Sequence, residues 1–154
     1  MNLTQNFTLS EMTKSEMALR FGMANDPTET EIGNLKTLCE NVLQPVRDHY
    51  GKGVKVNSGF RHPLVNAKVG GSTTSDHRKG MAADIEIPGV ANAELAEWIK
   101  DNCEFRQLIL EFYTPGIPDS GWVHVSFDPN DNKKQVMTAT RKDGKTVYLP
   151  GLVA

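Results

Sequence analysis

Cysteines and long apolar runs are scarce in this sequence, and each scarcity excludes a class of protein. The chain has two cysteines, Cys39 and Cys103, in 154 residues, which are too few for a disulfide-stapled secreted domain. We expect both to be reduced, buried thiols. No apolar run approaches the roughly 20 residues that a membrane-spanning helix needs. The start, MNLTQNFTLSEM, has no basic segment followed by an apolar one, so the sequence predicts synthesis in the cytoplasm without a secretory signal peptide.

An excess of charge of one sign is also missing. The chain has 17 basic and 19 acidic residues, a formal net charge of −2. Positive charge draws proteins to nucleic acids and anionic membranes, and no basic stripe or basic–aromatic interleaving is present. The sequence therefore predicts no nucleic-acid or membrane partner, so any ligand must be recognised through a site. Repeats and flexible linkers are absent too, which favours one domain over residues 1–154.

Helical patterns fill the first third of the chain. Ser10 is a candidate N-cap for a helix within FTLSEMTKSEMALRFG. For a second, longer helix the sequence predicts Asp26 as the N-cap and Pro27 at the first helical position, followed by an apolar stripe at helical spacing. Pro45 is expected to kink or interrupt this helix, and Gly51 to end it.

From residue 53 onward the pattern changes to short alternating segments. VKVNSGF, MAADIEI, QLILEFY and WVHVSF are predicted strands, and ANAELAEWIKDNC is a predicted amphipathic helix. KQVMTATRKDGKTVYL is typical of a terminal hairpin that turns at Asp143 and Gly144. Helices come first and strands mostly later, with no regular βαβ rhythm. We therefore expect an α+β fold with helices packed on a mainly antiparallel sheet.

Two of the predicted strands each carry one metal-binding residue type on their polar face. Asp84 lies on the face opposite to Ala83 and Ile85, and His124 lies on the face opposite to two valines. If these strands are neighbours, Asp84 and His124 meet, and His77 in the preceding loop can join them. Two histidines and one carboxylate suit Zn²⁺ with a fourth position left for water, as in catalytic sites. The spacing alone equally allows a hydrogen-bonded pair without a metal.

The remaining two histidines are poorer candidates for ligands. His49 lies at a helix end, and His62 follows the arginine in GFRHP. We expect both to have surface roles. Three protein ligands remain, which is the number of a catalytic rather than a closed structural zinc site.

Ordered motifs extend well beyond the three candidate ligands. VNSGFRHPLVNAKVGGSTTSDHRKGMAADIEI together with WVHVSF resembles the zinc D-alanyl-D-alanine carboxypeptidase and endopeptidase family, peptidase family M15, and in particular its compact members that bacteriophages often encode. FTLSEM, VLQPVRDHYG and the closing hairpin also look like family features, so the resemblance spans roughly residues 7–150. It implies the zinc fold that these peptidases share with the signalling domain of hedgehog proteins.

The resemblance also implies roles for individual residues. The family's pattern of a histidine, six residues, an aspartate and a distant histidine matches His77, Asp84 and His124, which implies that they bind one zinc ion. Arg61, in SGFR, matches an arginine that binds substrate and stabilises the oxyanion. Ser75 matches a position that helps to bind the peptide.

The general base does not carry over from the family. Many relatives have an acidic residue three positions before the last zinc histidine, where this sequence has Gly121. Glu111 is our first candidate, because hedgehog signalling domains also carry a glutamate on the strand before the last histidine strand. Asp119, in the loop GIPDSG, is the alternative base, although loop aspartates usually cap turns. Trp122, on the ligand face of its strand, is expected to line the substrate cleft.

The function that the resemblance implies is a zinc metallopeptidase acting on the peptide stems of bacterial peptidoglycan. The bond cut would be that of a D-Ala-D-Ala carboxypeptidase, a D,D-endopeptidase or an L-alanyl-D-glutamate endopeptidase. The chain looks like a monomeric phage endolysin, which would reach the cell wall through a holin pore, or a virion-associated enzyme. The missing acid at position 121 leaves an alternative, a catalytically inactive zinc-containing module that binds peptidoglycan or has a structural role in the virion.

Overall fold

Six α-helices and six strands form the computed structural model, which describes residues 1–153. The helices are α1 (Leu9–Thr13), α2 (Glu16–Arg20), α3 (Glu29–Leu38), α4 (Gln44–Tyr50), α5 (Pro63–Lys68) and α6 (Asn92–Asn102). The strands are β1 (Lys55–Ser58), β2 (Ala82–Glu86), β3 (Gln107–Glu111), β4 (Trp122–Ser126), β5 (Gln135–Lys142) and β6 (Lys145–Pro150). None of the helices within the described residues has the length and apolar character to cross a membrane. Ala154, the end of the single domain predicted over residues 1–154, lies outside the described part of the chain.

The N-caps of α1 and α3 differ from the prediction. Thr8, rather than Ser10, caps α1, and Thr28, rather than Asp26, caps α3. Each threonine hydroxyl accepts the backbone N–H of a glutamate three residues on, and the carboxylate of that glutamate accepts the threonine N–H. This reciprocal capping box satisfies two backbone donors at once, which a single N-cap side chain cannot do. Pro27 consequently lies before the helix instead of at its first position.

Pro45 interrupts the long helix as predicted. A proline has no N–H to donate, and its ring crowds the preceding turn. The residues just before it, Cys39–Leu43, form a π-helical segment that joins α3 to α4. Gly51 ends α4 in the left-handed conformation at φ 62°, so that prediction is confirmed too.

All six strands belong to one sheet, in the order β1-β2-β4-β3-β5-β6. Every neighbouring pair is antiparallel except β3 and β5, which run parallel. β5 and β6 form the predicted hairpin, and both Asp143 and Gly144 have the positive φ of a tight two-residue turn. The predicted α+β fold with a mainly antiparallel sheet is confirmed.

One face of this sheet is apolar and is covered by helices. Ala83 and Ile85 of β2 are buried against Val123 and Val125 of β4, and apolar side chains of α3, the π-helical segment and α6 complete the same core. Because side chains alternate along a strand, the polar residues of β2 and β4 lie on the opposite face. The sheet therefore separates the hydrophobic core from the polar residues of the candidate site.

Both cysteines lie in the core as free thiols, as expected. Burial raises the pKa of the Cys39 thiol to about 12 and that of the Cys103 thiol to about 11. Both thiols therefore stay protonated at neutral pH and act as small apolar side chains.

Two leucines offer a matched test of the core. Leu35, in α3, is fully buried, whereas Leu19, in α2, is 76% exposed. We expect Leu35→Ala to lower the free energy of unfolding by about 2–5 kcal/mol, because it removes buried apolar surface and leaves a cavity. Leu19→Ala should change that free energy by no more than about 0.5 kcal/mol. Urea denaturation followed by circular dichroism measures both, and equal effects would contradict this description of the core.

Candidate metal centre

The three predicted ligands meet on the polar face of the sheet. Asp84 and His124 are directly opposite each other in the β2–β4 pair, with 3.0 Å between Asp84 Oδ1 and His124 Nδ1. His77 completes the group, with its Nε2 3.4 Å from Asp84 Oδ2. One possible ligand atom from each residue lies within 4.8 Å of the other two. The sequence prediction required the strands that carry Asp84 and His124 to be neighbours, and β2 and β4 are paired in the sheet.

A 3-10 turn at Asp76–Lys79 and a backbone carbonyl hold the His77 ring in place. The hydroxyl of Ser75 accepts the His77 N–H at 3.2 Å and begins the turn. Gly80 ends it in the left-handed conformation. His77 Nδ1 donates to the carbonyl oxygen of Gly59 at 2.7 Å, which leaves Nε2 as the unprotonated nitrogen that faces Asp84.

This donor set fits a divalent metal ion. His77 Nε2 is buried and has no hydrogen-bond partner within the described residues, and such an atom is costly unless something satisfies it. A metal ion bound at Nε2 would do so. Two imidazole nitrogens and one carboxylate oxygen also leave one position of a tetrahedral site open.

The charge states of two of these three residues suit metal binding as well. Burial alone would raise the pKa of Asp84, but the imidazoles of His77 and His124 hold it well below its ordinary value. The carboxylate is therefore ionised at neutral pH. Burial lowers the pKa of His77, which favours its neutral form. A metal ion requires deprotonated ligands, and Asp84 and His77 are already in that form. Burial alone would lower the pKa of His124, but the hydrogen bond and the charge of Asp84 raise it, so a metal ion would have to displace a proton from this third residue.

Arg61 lies beside the cluster, next to the end of β1. Its Nη2 is 3.6 Å from Asp84 Oδ2, while Nε donates to Ser58 Oγ at 3.1 Å and Nη1 donates to Asn66 Oδ1 at 3.2 Å. Burial lowers the pKa of Arg61, and the charges of Asp84 and Glu111 oppose this shift. An arginine nevertheless keeps its proton at neutral pH. Arg61 therefore presents a fixed positive charge next to the candidate ligands.

Glu111 lies on the same face as His124, one strand away. In the β3–β4 pair Glu111 is opposite Trp122, and Ile109 is opposite His124. Trp122 Nε1 donates to Glu111 Oε2 at 2.7 Å. Burial raises the pKa of Glu111, and the charge of Asp84 adds to this. Trp122, predicted only to line the cleft, thus also orients the first-choice base.

Gly121 accounts for the missing acid three positions before His124. Its φ is 64°, and a Cβ at this position would overlap the carbonyl oxygen of Glu111 and the backbone of Phe112. Any side chain at position 121 would therefore displace the end of the strand that carries Glu111. The absence of an acidic side chain at position 121 thus has a steric reason.

A cleft of about 640 Å³ surrounds the cluster. Its lining within residues 1–153 includes every predicted site residue except Asp119, namely Arg61, Ser75, His77, Asp84, Glu111, Trp122 and His124. Asp119 lies in the loop between β3 and β4 and does not line this cleft. The structure thus brings Glu111, but not the alternative base, to the candidate ligands.

The other two histidines are apart from the cluster, as predicted. His49 stacks on Trp98 with 4.5 Å between ring centroids. His62 caps α5, its Nδ1 accepting the N–H of Leu64 at 3.2 Å. Neither belongs to the metal cluster.

Sequence reasoning missed two residues that support the site. Gly59 accepts the hydrogen bond from His77, and a Cβ there would overlap the carbonyl oxygen of Met12. Asn66 is buried, holds Arg61 through its Oδ1, and donates from Nδ2 to the carbonyl oxygen of residue 72 at 2.8 Å. Both lie in motifs, SGFR and NAKVGGS, whose only signal was the family resemblance.

The steric role of Gly121 can be separated from its conformational role. Gly116, in the same loop, also has a positive φ, but nothing lies within 4 Å of a Cβ built there. We expect Gly116→Ala to cost about 1 kcal/mol of unfolding free energy, from backbone strain alone. Gly121→Ala should cost at least about twice as much, since it adds the overlap with Glu111. Urea denaturation measures both, and equal costs would refute the steric explanation.

Metal binding itself can be tested with a matched pair of histidine variants. We expect the protein to retain one divalent metal ion per chain after dialysis, as measured by elemental analysis by mass spectrometry. His77→Ala removes a ligand and should lower the metal affinity by more than the ~10–100-fold typical of losing a group that only orients a ligand. His49→Ala should leave the stoichiometry unchanged. Equal metal contents in the two variants would exclude His77 as a ligand.

Comparison with known proteins bears on the same residues. No curated protein matches the chain. A family model described as Peptidase M15 matches residues 5–126. The matched range contains the three candidate ligands together with Arg61 and Glu111, and it ends with β4. Because the match covers well over half of its length, the chain belongs to the peptidase M15 family.

Proposed function

We propose that the protein is a zinc metallopeptidase that hydrolyses the peptide stems of bacterial peptidoglycan. The observation that carries the proposal is the juxtaposition of His77, Asp84 and His124 in a cleft that Glu111 also lines. Membership of the peptidase M15 family supports the same reaction class.

His77, Asp84 and His124 would hold one zinc ion. Bound there, the ion would supply Lewis acidity to polarise a peptide carbonyl and to lower the pKa of a coordinated water toward ~7. The carbonyl oxygen of Gly59 accepts a hydrogen bond from His77 Nδ1 and fixes the ring. His77 Nε2, the nitrogen that would bind zinc, is therefore already oriented before the ion binds.

Glu111 is the proposed general base and, later, the general acid. Hydrolysis of a peptide bond requires a group that takes the proton of the attacking water and returns one to the leaving amine. Burial raises the pKa of Glu111, which moves this carboxyl toward the range in which it can do both. The indole of Trp122 holds one carboxylate oxygen at 2.7 Å, and the other oxygen is free to exchange the proton.

Arg61 and Ser75 are the proposed substrate-binding groups. Arg61 is held at both ends of its guanidinium by Ser58 and Asn66, so its charge is already in place when negative charge develops on the carbonyl oxygen. Ser75 lines the cleft, although its hydroxyl also accepts the N–H of His77.

The substrate class and the biological setting follow from the family resemblance of the motifs. Three activities are proposed as alternatives: D-Ala-D-Ala carboxypeptidase, D,D-endopeptidase and L-alanyl-D-glutamate endopeptidase. We further propose that the protein is monomeric and phage-encoded, and that it reaches the host cell wall through a holin pore or as part of the virion.

A catalytically inactive zinc-containing module remains the competing function. Its only support was the absence of an acid at position 121. The steric need for glycine at position 121 explains why no acid is there. Glu111 still provides an acid in the cleft, which favours the peptidase.

Matched carboxylate variants test the reaction and the base together. Purified peptidoglycan incubated with the zinc-loaded protein should release defined stem-peptide fragments, identified by mass spectrometry. Glu111→Gln should lower the rate about 100-fold or more, the usual contribution of a general base, while zinc content stays unchanged. Asp119→Asn, which removes the acid outside the cleft, should retain nearly full activity.

The opposite results discriminate between the remaining possibilities. If Asp119→Asn is the inactive variant, the base is misassigned but the peptidase stands. If folded, zinc-loaded protein releases no fragments from walls of several chemotypes, with His77→Ala as the blank, the protein is the binding module.

A further inference from the structure

The β5–β6 hairpin extends the cleft beyond the segment that matches the family model, which ends at residue 126. In the sheet, Ala139 of β5 is opposite Glu111, and Tyr148 of β6 is opposite Ala139. The side chains of Lys133, Arg141 and Tyr148 line the cleft. The wall of the cleft on the far side from Arg61 is therefore built partly by residues outside the matched segment.

An aromatic ring supports the Arg141 side chain over this wall. The guanidinium carbon of Arg141 lies 4.7 Å from the centre of the Phe112 ring, and the Phe112 ring lies 5.4 Å from that of Trp122. Phe112 has a φ of 57°, a conformation that is strained for a bulky residue and that occurs in turns and at functional sites. Arg141 is thus linked to the carboxylate of Glu111 through two rings that contact each other at an angle of 60°.

The charge of Arg141 is unpaired, unlike that of the other arginines in the cleft. Arg61 and Arg106 both contact aspartates at 3.4–3.6 Å. Within residues 1–153, neither Arg141 nor Lys133 has a carboxylate at ion-pair distance. A guanidinium stacked on a ring keeps its N–H edge free, and that edge matches a carboxylate. The hydroxyl of Tyr148, which is 53% exposed, adds a further donor.

We propose that Arg141, together with Tyr148, forms a subsite for a carboxylate of the substrate peptide. The proposal rests on the proposed function, because it takes the occupant of the cleft to be a peptide. β5 lies two strands from β4, which is about 10 Å at the usual strand spacing. An extended peptide covers this distance with about three residues. The bound carboxylate therefore belongs to a residue about three positions from the scissile bond.

Paired peptides and paired hairpin variants test the subsite by binding. The probes are a synthetic stem pentapeptide, L-Ala-γ-D-Glu-L-Lys-D-Ala-D-Ala, with free carboxylates and the same peptide with all carboxylates amidated. Isothermal titration uses zinc-loaded Glu111→Gln protein, so that turnover does not obscure binding. Arg141→Gln in that background should raise the Kd of the carboxylate form about ten-fold or more, the usual loss for a charge-assisted hydrogen bond. The Kd of the amidated form should change by less than about two-fold.

Lys142→Gln is the matched control. It removes the same charge from the neighbouring exposed position, which does not line the cleft, and it should leave both Kd values unchanged. Tyr148→Phe, which removes only the second donor of the subsite, repeats the test if thermal melting finds Arg141→Gln unfolded, and it should weaken binding of the carboxylate form alone.

The outcomes separate this proposal from the function on which it rests. Equal losses for both peptides, equal effects of Arg141→Gln and Lys142→Gln, or no loss at all would overturn the subsite and leave the peptidase standing. No binding of either peptide, together with no fragments from peptidoglycan, would overturn both.

Discussion

The buried carboxylate of Asp84 is the constraint on which the rest of the structure depends. An ionised carboxylate taken out of water costs several kcal/mol unless it is paired. Asp84 has three partners, His124 at 3.0 Å, His77 at 3.4 Å and Arg61 at 3.6 Å, and each comes from a different part of the chain. The cost of leaving Asp84 unpaired therefore ties together β2, β4, the 3-10 turn and the loop after β1. A metal ion at the same place would add to this stabilisation, since it binds only the folded arrangement.

β2 and β4 bury apolar side chains in the core on one face and carry the candidate metal ligands on the other. Ile85 and Val123 are fully buried in the core, and their neighbours along the chain, Asp84 and His124, are candidate ligands. Successive side chains of a strand point to opposite faces of the sheet. Packing Ile85 and Val123 into the core therefore fixes the direction in which the candidate ligands Asp84 and His124 point. α3 and α6 pack on the apolar face, and the polar face lines the cleft. The positions of the ligands thus depend on core packing.

The backbones at Glu111 and Gly121 are in close contact, which links the end of β3 to the start of β4. The backbone at Gly121 passes so close to that of Glu111 that no side chain fits at position 121, and Glu111 is the glutamate that lines the cleft. The same strand end continues into Phe112, whose left-handed conformation directs its ring toward Trp122 and Arg141. Glu111, the indole of Trp122 and the Arg141 side chain are therefore parts of one local arrangement.

Local patterns in the sequence were sufficient for the strands, the faces of β2 and β4, the hairpin turn at Asp143 and the interruption at Pro45. These features depend on alternation, on residue conformation and on the missing proline N–H, all of which act within a few residues. The caps at Thr8 and Thr28 were predicted wrongly, because a capping box requires cooperation between two side chains that single-residue preferences do not rank. The sequence already ranked Glu111 before Asp119 as the candidate base. Only the tertiary structure showed that Glu111 lines the cleft and Asp119 does not, that Gly121 is required sterically, and that Arg141 lies over the Phe112 ring. All of these features depend on distances between residues that are far apart in sequence. Those distances are set only when the sheet has assembled on its core.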